Sequence, residues 1–178
     1  AWLGNANANT MLIDKDEKGN AITDGGGNDY IDGGLGDDTI GGGKGNDRLI
    51  GGAGFDTYLI NPGDGYDTLL DTDGSGIIQF GDIEATGSAN LTDRAKWIHV
   101  AGSNTWVDQQ STITYIQSTV NGETQLTIKQ GDSTVLVRGW SDGELGIALG
   151  AGASPEAPVT SLSLTGDFAP ADTDPAAD

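Results

Sequence analysis

The sequence contains no cysteine, so neither disulfides nor thiolate-bound zinc can hold it together. Basic residues are scarce too: 8 Lys and Arg stand against 27 Asp and Glu, for a formal charge of −19. Such a surface makes nucleic acid and anionic membranes poor partners, and its self-repulsion opposes a compact state unless cations neutralise it. No apolar run approaches the roughly 18 to 20 residues that span a bilayer. The opening Ala1-Trp2-Leu3-Gly4-Asn5 is not a signal peptide, and the missing initiator Met suggests an excised fragment. Catalytic signatures are absent as well, with no nucleophile elbow, no His-Glu-x-x-His zinc motif and no phosphate-binding loop. The lone His99 falls in a strand-like segment and reads as a packed or surface residue. No enzyme activity is therefore expected in this chain. Hydrophobic residues make up only 35% and glycines number 30, so a modest core faces a large backbone entropy cost. Bound hard cations remain as the extra support.

What is present is a repeat. Four nonapeptides follow without a gap: DGGGNDYID (24–32), GGLGDDTIG (33–41), GGKGNDRLI (42–50) and GGAGFDTYL (51–59). Gly fills the second and fourth places, Asp the sixth and a large apolar residue the eighth. A fifth copy, PGDGYDTLL (62–70), follows two inserted residues, Ile60 and Asn61. The apolar phase also runs backwards through Ile22 and Ile13, which makes residues 1–23 degenerate N-terminal coils, as terminal repeats commonly are. An ordered linker is the other reading of that stretch.

Each unit divides into a glycine-dependent turn and a short strand with one side chain pointing inward. Two units make a coil of 18 residues, and stacked coils form two parallel sheets about 4.8 Å between strands. On this scheme Ile13, Ile31 and Leu49 make one ladder, and Ile22, Ile40 and Tyr58 the other. Stacking the turns brings sixth-place carboxylates together, where they repel unless an ion lies between them. Carboxylates beside glycine-loop carbonyls suit Ca²⁺, which takes six to eight oxygens, better than the stricter Mg²⁺. Zinc and copper would want nitrogen or sulfur. The predicted sites pair Asp29 with Asp47, Asp38 with Asp56, and Asp47 with Asp67, the last depending on how Ile60-Asn61 is absorbed.

The units match the Gly-Gly-x-Gly-x-Asp-x-apolar-x signature, and residues 24–70 resemble the RTX (repeats-in-toxin) family of haemolysin-type calcium-binding proteins. The resemblance implies a right-handed parallel β-roll, or β-helix, that folds on several Ca²⁺ ions outside the cell. It implies type I secretion from a Gram-negative bacterium, an extracellular location, a monomer, and an attached effector domain such as a toxin, hydrolase or adhesin. It assigns Asp29, Asp38, Asp47, Asp56 and Asp67 as side-chain ligands. Backbone carbonyls would complete the sites, from Gly25 and Gly27 in the first unit and Gly33, Gly34, Leu35 and Gly36 in the second. The third would supply Gly42, Gly43, Lys44 and Gly45, the fourth Gly51, Gly52, Ala53 and Gly54, and the fifth Gly63 and Gly65. Asp24 and Pro62 depart from the signature by replacing the first glycine of their units.

Beyond the array, Asp71-Thr72-Asp73-Gly74-Ser75-Gly76, with Asp82 at the twelfth place, reads either as an EF-hand-like loop without its helices or as a cap on the last coil. Asp71, Asp73 and Asp82 are thus further candidate ligands. Asp14 to Gly19 starts similarly but reads as a plain turn. Residues 71–150 carry alternating β-branched segments at 97–100, 112–116, 125–128 and 135–137, with Asn121-Gly122 and Gly131-Asp132 as hairpin turns. They predict an antiparallel β-rich cap over the open edge of the array. A second reading makes the chain a calcium-dependent carbohydrate-binding or adhesive module, with Trp97, Trp106, Tyr115 or Trp140 stacking on a sugar. Residues 151–178, rich in Ala, Asp, Ser, Thr and Pro, read as a linker or disordered tail.

Overall fold

A computed structural model describes residues 26–88 and 96–150, together with the backbone of three short strands, β1 (Trp2–Leu3), β2 (Thr10–Leu12) and β3 (Ala21–Thr23). The described residues are all-β, as expected, with a 3-10 turn at Glu144–Gly146 and no α-helix among them. No helix among them is long and apolar enough to cross a membrane. The tail from 151 onward, the Asp14 to Gly19 turn, Ile13 and Gly25 lie outside the described residues.

The nonapeptides supply β4 (Tyr30–Leu35), β5 (Thr39–Gly41), β6 (Arg48–Ala53), β7 (Asp56–Ile60) and β8 (Tyr66–Leu70). Alternate strands fall on opposite sheets. One sheet runs β2-β4-β6-β8 in parallel, and the other β1-β3-β5-β7 and then β9 (Gly76–Phe80). The eighth-place side chains face each other between the sheets. Ile31, Leu49 and Leu69 form one fully buried ladder, and Ile40, Tyr58 and Ile78 the other.

Three sequence expectations need correction. Met11, not Ile13, stands opposite Ile31, because the connection from β2 to β3 is two residues longer than a standard half-coil; Ile22 does pair with Ile40. The boundary drawn at residue 70 cuts through the stack, since β9 pairs in parallel with β7 and carries the coil pattern to Phe80. That same strand interrupts the twelve-residue EF-hand-like loop. Five extended residues span roughly 16 Å, so exposed Asp82 lies beyond the far end of β9 from Asp71 and Asp73.

The inserted Ile60-Asn61 is absorbed in a tight turn. Asp64 folds back to accept the Asn61 amide at 2.6 Å, and the next coil resumes in register with Leu69 opposite Leu49. The same turn receives the rest of the chain. Ser133 Oγ donates to the Asn61 carbonyl at 2.7 Å and accepts from the Gly63 amide at 3.1 Å. It thereby seats β15 (Ser133–Arg138) in parallel against β8. From β15 the sheet continues antiparallel through β14 (Glu123–Gln130), β13 (Ile113–Val120), β12 (Thr105–Asp108) and β11 (Trp97–His99). The turns fall at Asn121-Gly122 and Gly131-Asp132, while β12 carried no distinct sequence signal. On the second sheet β10 (Ile83–Glu84) folds back on β9. Both open edges at this end of the coils are therefore paired, which removes a template for aggregation.

Candidate metal centre

The turns of the coils stack into two columns, one on each side of the molecule. Within each, a sixth-place carboxylate reaches back to the coil before it. Asp47 Oδ1 accepts from the Asp29 amide at 2.8 Å, Asp56 Oδ1 from the Asp38 amide at 2.9 Å, and Asp67 Oδ1 from the Asp47 amide at 2.9 Å. The geometry therefore brings together the same three pairs that the spacing predicts, the third at a separation of 20 residues because of the insertion. All five aspartates are buried, at 3% exposure or less.

The other carboxylate oxygen is the informative one. Asp56 Oδ2 is sealed from water and accepts no hydrogen bond, an arrangement that costs several kcal/mol for a charged group. The Oδ2 atoms of Asp29, Asp38 and Asp47 are also removed from solvent. The Oδ2 atoms of Asp38, Asp47 and Asp56 each sit against the first glycine of their own unit. A Cβ on Gly33 would stand 2.6 Å from Asp38 Oδ2 and 2.6 Å from the Gly51 carbonyl oxygen, and Gly42 and Gly51 stand closer still to Asp47 and Asp56. The first-place glycines are thus required by the carboxylate that fills the space of their side chain. Gly52 and Gly54 are required by backbone angle, with φ of 110° and 133°.

Among the described residues no three acidic or histidine side chains converge on one point. An ion in these columns needs main-chain oxygens as well, and the donor set is then all oxygen, as Ca²⁺ prefers. Of the carbonyls in question, those of Lys44 and Ala53 accept the Gly27 and Gly36 amides of the preceding coil. A carbonyl keeps a second lone pair for a cation. Asp71 and Asp73 belong to the turn that follows β8. Asp71 accepts the Tyr58 hydroxyl at 2.7 Å and the Gly74 amide at 2.7 Å, while exposed Asp73 accepts the Gly54 and Ser75 amides.

A second set of contacts escaped the sequence reading. At the fifth place, Asn28 Oδ1 accepts the Asn46 amide, Asn46 Oδ1 the Tyr66 amide and Asp37 Oδ1 the Phe55 amide, at 2.7 to 3.1 Å. These bonds run forward from coil to coil where the sixth-place bonds run back. The signal was the Asn or Asp at the fifth place of the first three units.

Charge in the columns is strained without a cation. Burial pushes the Asp56 carboxyl up to about 6, with Asp71, Asp38 and Asp73 adding repulsion and the Asp38 amide opposing the rise. Burial likewise raises Asp67 to about 7, with Asp47 and Asp64 contributing. A carboxyl raised above its unfolded value of 3.8 contributes stability below that pH and loses it as pH climbs through 6 and 7. In chelator the chain should therefore hold more β-structure near pH 4.5 than at pH 8. Circular dichroism melts at the two pH values check this, and equal or reversed stability would refute it.

The aromatics offered as a sugar platform are core instead. Trp97, Trp106, Tyr115 and Trp140 are each at most 8% exposed. His99 stacks on Trp106 with ring centroids 4.7 Å apart, and Trp97 packs on Tyr115 at 5.5 Å.

A search of curated proteins returned no match. Residues 20–58 do match a family model, the RTX calcium-binding nonapeptide repeat, in four copies. That match falls on the stacked coils with the buried carboxylates, so this segment of the chain is an array of RTX calcium-binding nonapeptide repeats, whose ion is Ca²⁺.

Proposed function

We propose that the chain is a folding module triggered by calcium, in which ions seated between stacked turns turn a right-handed parallel β-roll from an unstable state into a stable one. The observation that carries this reading is the sealed Asp56 Oδ2, a charged acceptor with no donor, in a chain of net charge −19. Ligands would be Asp29, Asp38, Asp47, Asp56 and Asp67 with the carbonyls of their glycine turns. The roll would run from residue 24 to about 80, and β11 to β15 would act as its cap. By likeness to RTX proteins, the module would work outside a Gram-negative cell after type I secretion, delaying the folding of an attached effector until calcium is met. The carbohydrate-binding alternative draws no support from the buried aromatics.

Calcium would act on the cap as well as on the roll, because β15 is hydrogen-bonded to β8 and Ser133 to the Asn61 turn. Trp97, Trp106 and Trp140, all buried in the capping region, report on this. Adding calcium to the chelated chain should shift tryptophan emission to the blue with the same midpoint as the gain in β-structure. A tryptophan spectrum indifferent to calcium would remove the folding coupling.

A further inference from the structure

We propose that the turn before β9 completes one more calcium site, between residues 51–56 and 71–76, with its second carboxylate supplied by Asp71 at the first place of the unit and not by the sixth. The inference rests on the reading that the array binds calcium between stacked turns. By the sixth-place rule no site forms here, since Gly76 stands in register with Asp56.

The two places have exchanged residues. In the units that start at Gly33, Gly42 and Gly51 the first place must be glycine because the sixth-place carboxylate occupies the volume of its side chain. In the unit that starts at residue 71 the sixth place is Gly76, which leaves that volume free, and the first place is Asp71. The column thus keeps a carboxylate, delivered from the other end of the turn.

Asp56 faces it. One coil earlier, Asp38 Oδ2 lies beside Gly33 and the carbonyl of Gly51. One coil on, Asp56 Oδ2 lies beside Gly51, and Asp71 directly follows Leu70, the partner of Ile50 in the register of the two strands. The Tyr58 hydroxyl touches the same point as Asp56 Oδ2 and donates to Asp71 Oδ2 at 2.7 Å, so it links the two carboxylates. Asp56 is fully buried and its Oδ2 has no donor, which marks the gap as a place for a cation. Asp71 Oδ1 is held by the Gly74 amide at 2.7 Å and the Asp73 amide at 3.2 Å, so its carboxylate is already oriented. Asp56 would then serve two ions, as Asp47 does.

Equilibrium dialysis of the full chain against calcium, with circular dichroism at saturation, tests the proposal. Asp71→Asn should keep its β-structure at saturating calcium and bind one ion fewer than the parent, whereas Asp73→Asn should bind the same number. An unchanged count in Asp71→Asn overturns the proposal. Should that variant fail to fold, terbium decides: tyrosine-excited terbium emission should fall markedly in Tyr58→Phe, and unchanged emission overturns the site. A parent chain that binds no calcium would bring down the underlying reading instead, so the two failures are distinguishable.

Discussion

Transfer from millimolar calcium into excess chelator at neutral pH should abolish most of the β-structure, and restoring calcium should return it in a cooperative transition. Each ion present at about 100 times its dissociation constant stabilises the folded state by about 2.7 kcal/mol. Three such sites contribute about 8 kcal/mol, comparable with the 5 to 15 kcal/mol that ordinarily separates a folded domain from its unfolded chain. The metal-free stack also carries an opposing load at neutral pH, since Asp56 and Asp67 are buried carboxylates raised toward 6 and 7. On the proposed reading, metal-binding energy would therefore be folding energy here. Far-ultraviolet circular dichroism during a calcium titration measures it, and a spectrum that is the same in chelator and in millimolar calcium would show that the core alone suffices.

The second large effect concerns Asp47. Its Oδ1 accepts the Asp29 amide and its own amide donates to Asp67 Oδ1, so it stands between two turns and faces both. Asp47→Ala should weaken the sites paired with Asp29 and with Asp67 together. It also leaves the buried Asp29 amide without its carboxylate acceptor, which costs about 1 to 3 kcal/mol in itself. Asp29→Ala keeps that amide and should damage one site. In equilibrium dialysis the first variant should lose about two ions and the second about one, with a correspondingly larger rise in the calcium midpoint for Asp47→Ala. Equal losses would refute the pairing of turns. Asp56→Ala should resemble Asp47→Ala if Asp71 completes a further site, and Asp29→Ala if it does not.

Much of this was legible without coordinates because a nonapeptide repeat fixes its own geometry. An apolar residue every nine positions, on strands that alternate between two sheets, can only stack on the residue 18 further along, and so Asp29 meets Asp47 and Asp38 meets Asp56. The hairpins of the later region were legible for a similar reason, since Asn121-Gly122 and Gly131-Asp132 are local turn chemistry. What failed were inferences that carried the period across an irregularity. Counting back in nines from Ile31 reaches Ile22 and Ile13, yet the longer connection before β3 places Met11 in the ladder. Counting forward stopped at residue 70, because the unit that follows has lost its sixth-place Asp, although Ile78 still lies beneath Tyr58.

The sequence by itself determined the repeat, its two columns of carboxylates, the oxygen-only chemistry that calls for calcium, and the lack of any disulfide. These are properties of spacing and composition, and they survive any detail of packing. Only the tertiary structure decided where the stack ends, how the inserted Ile60-Asn61 is taken up, and what the tryptophans are for. Each depends on contacts between residues distant in the chain: Ser133 against the Asn61 turn, β15 along β8, and Asp71 beside Tyr58. It also supplied the reason for the first-place glycines Gly33, Gly42 and Gly51. The backbone angle there does not demand glycine; a carboxylate oxygen five residues onward occupies the place where a side chain would begin.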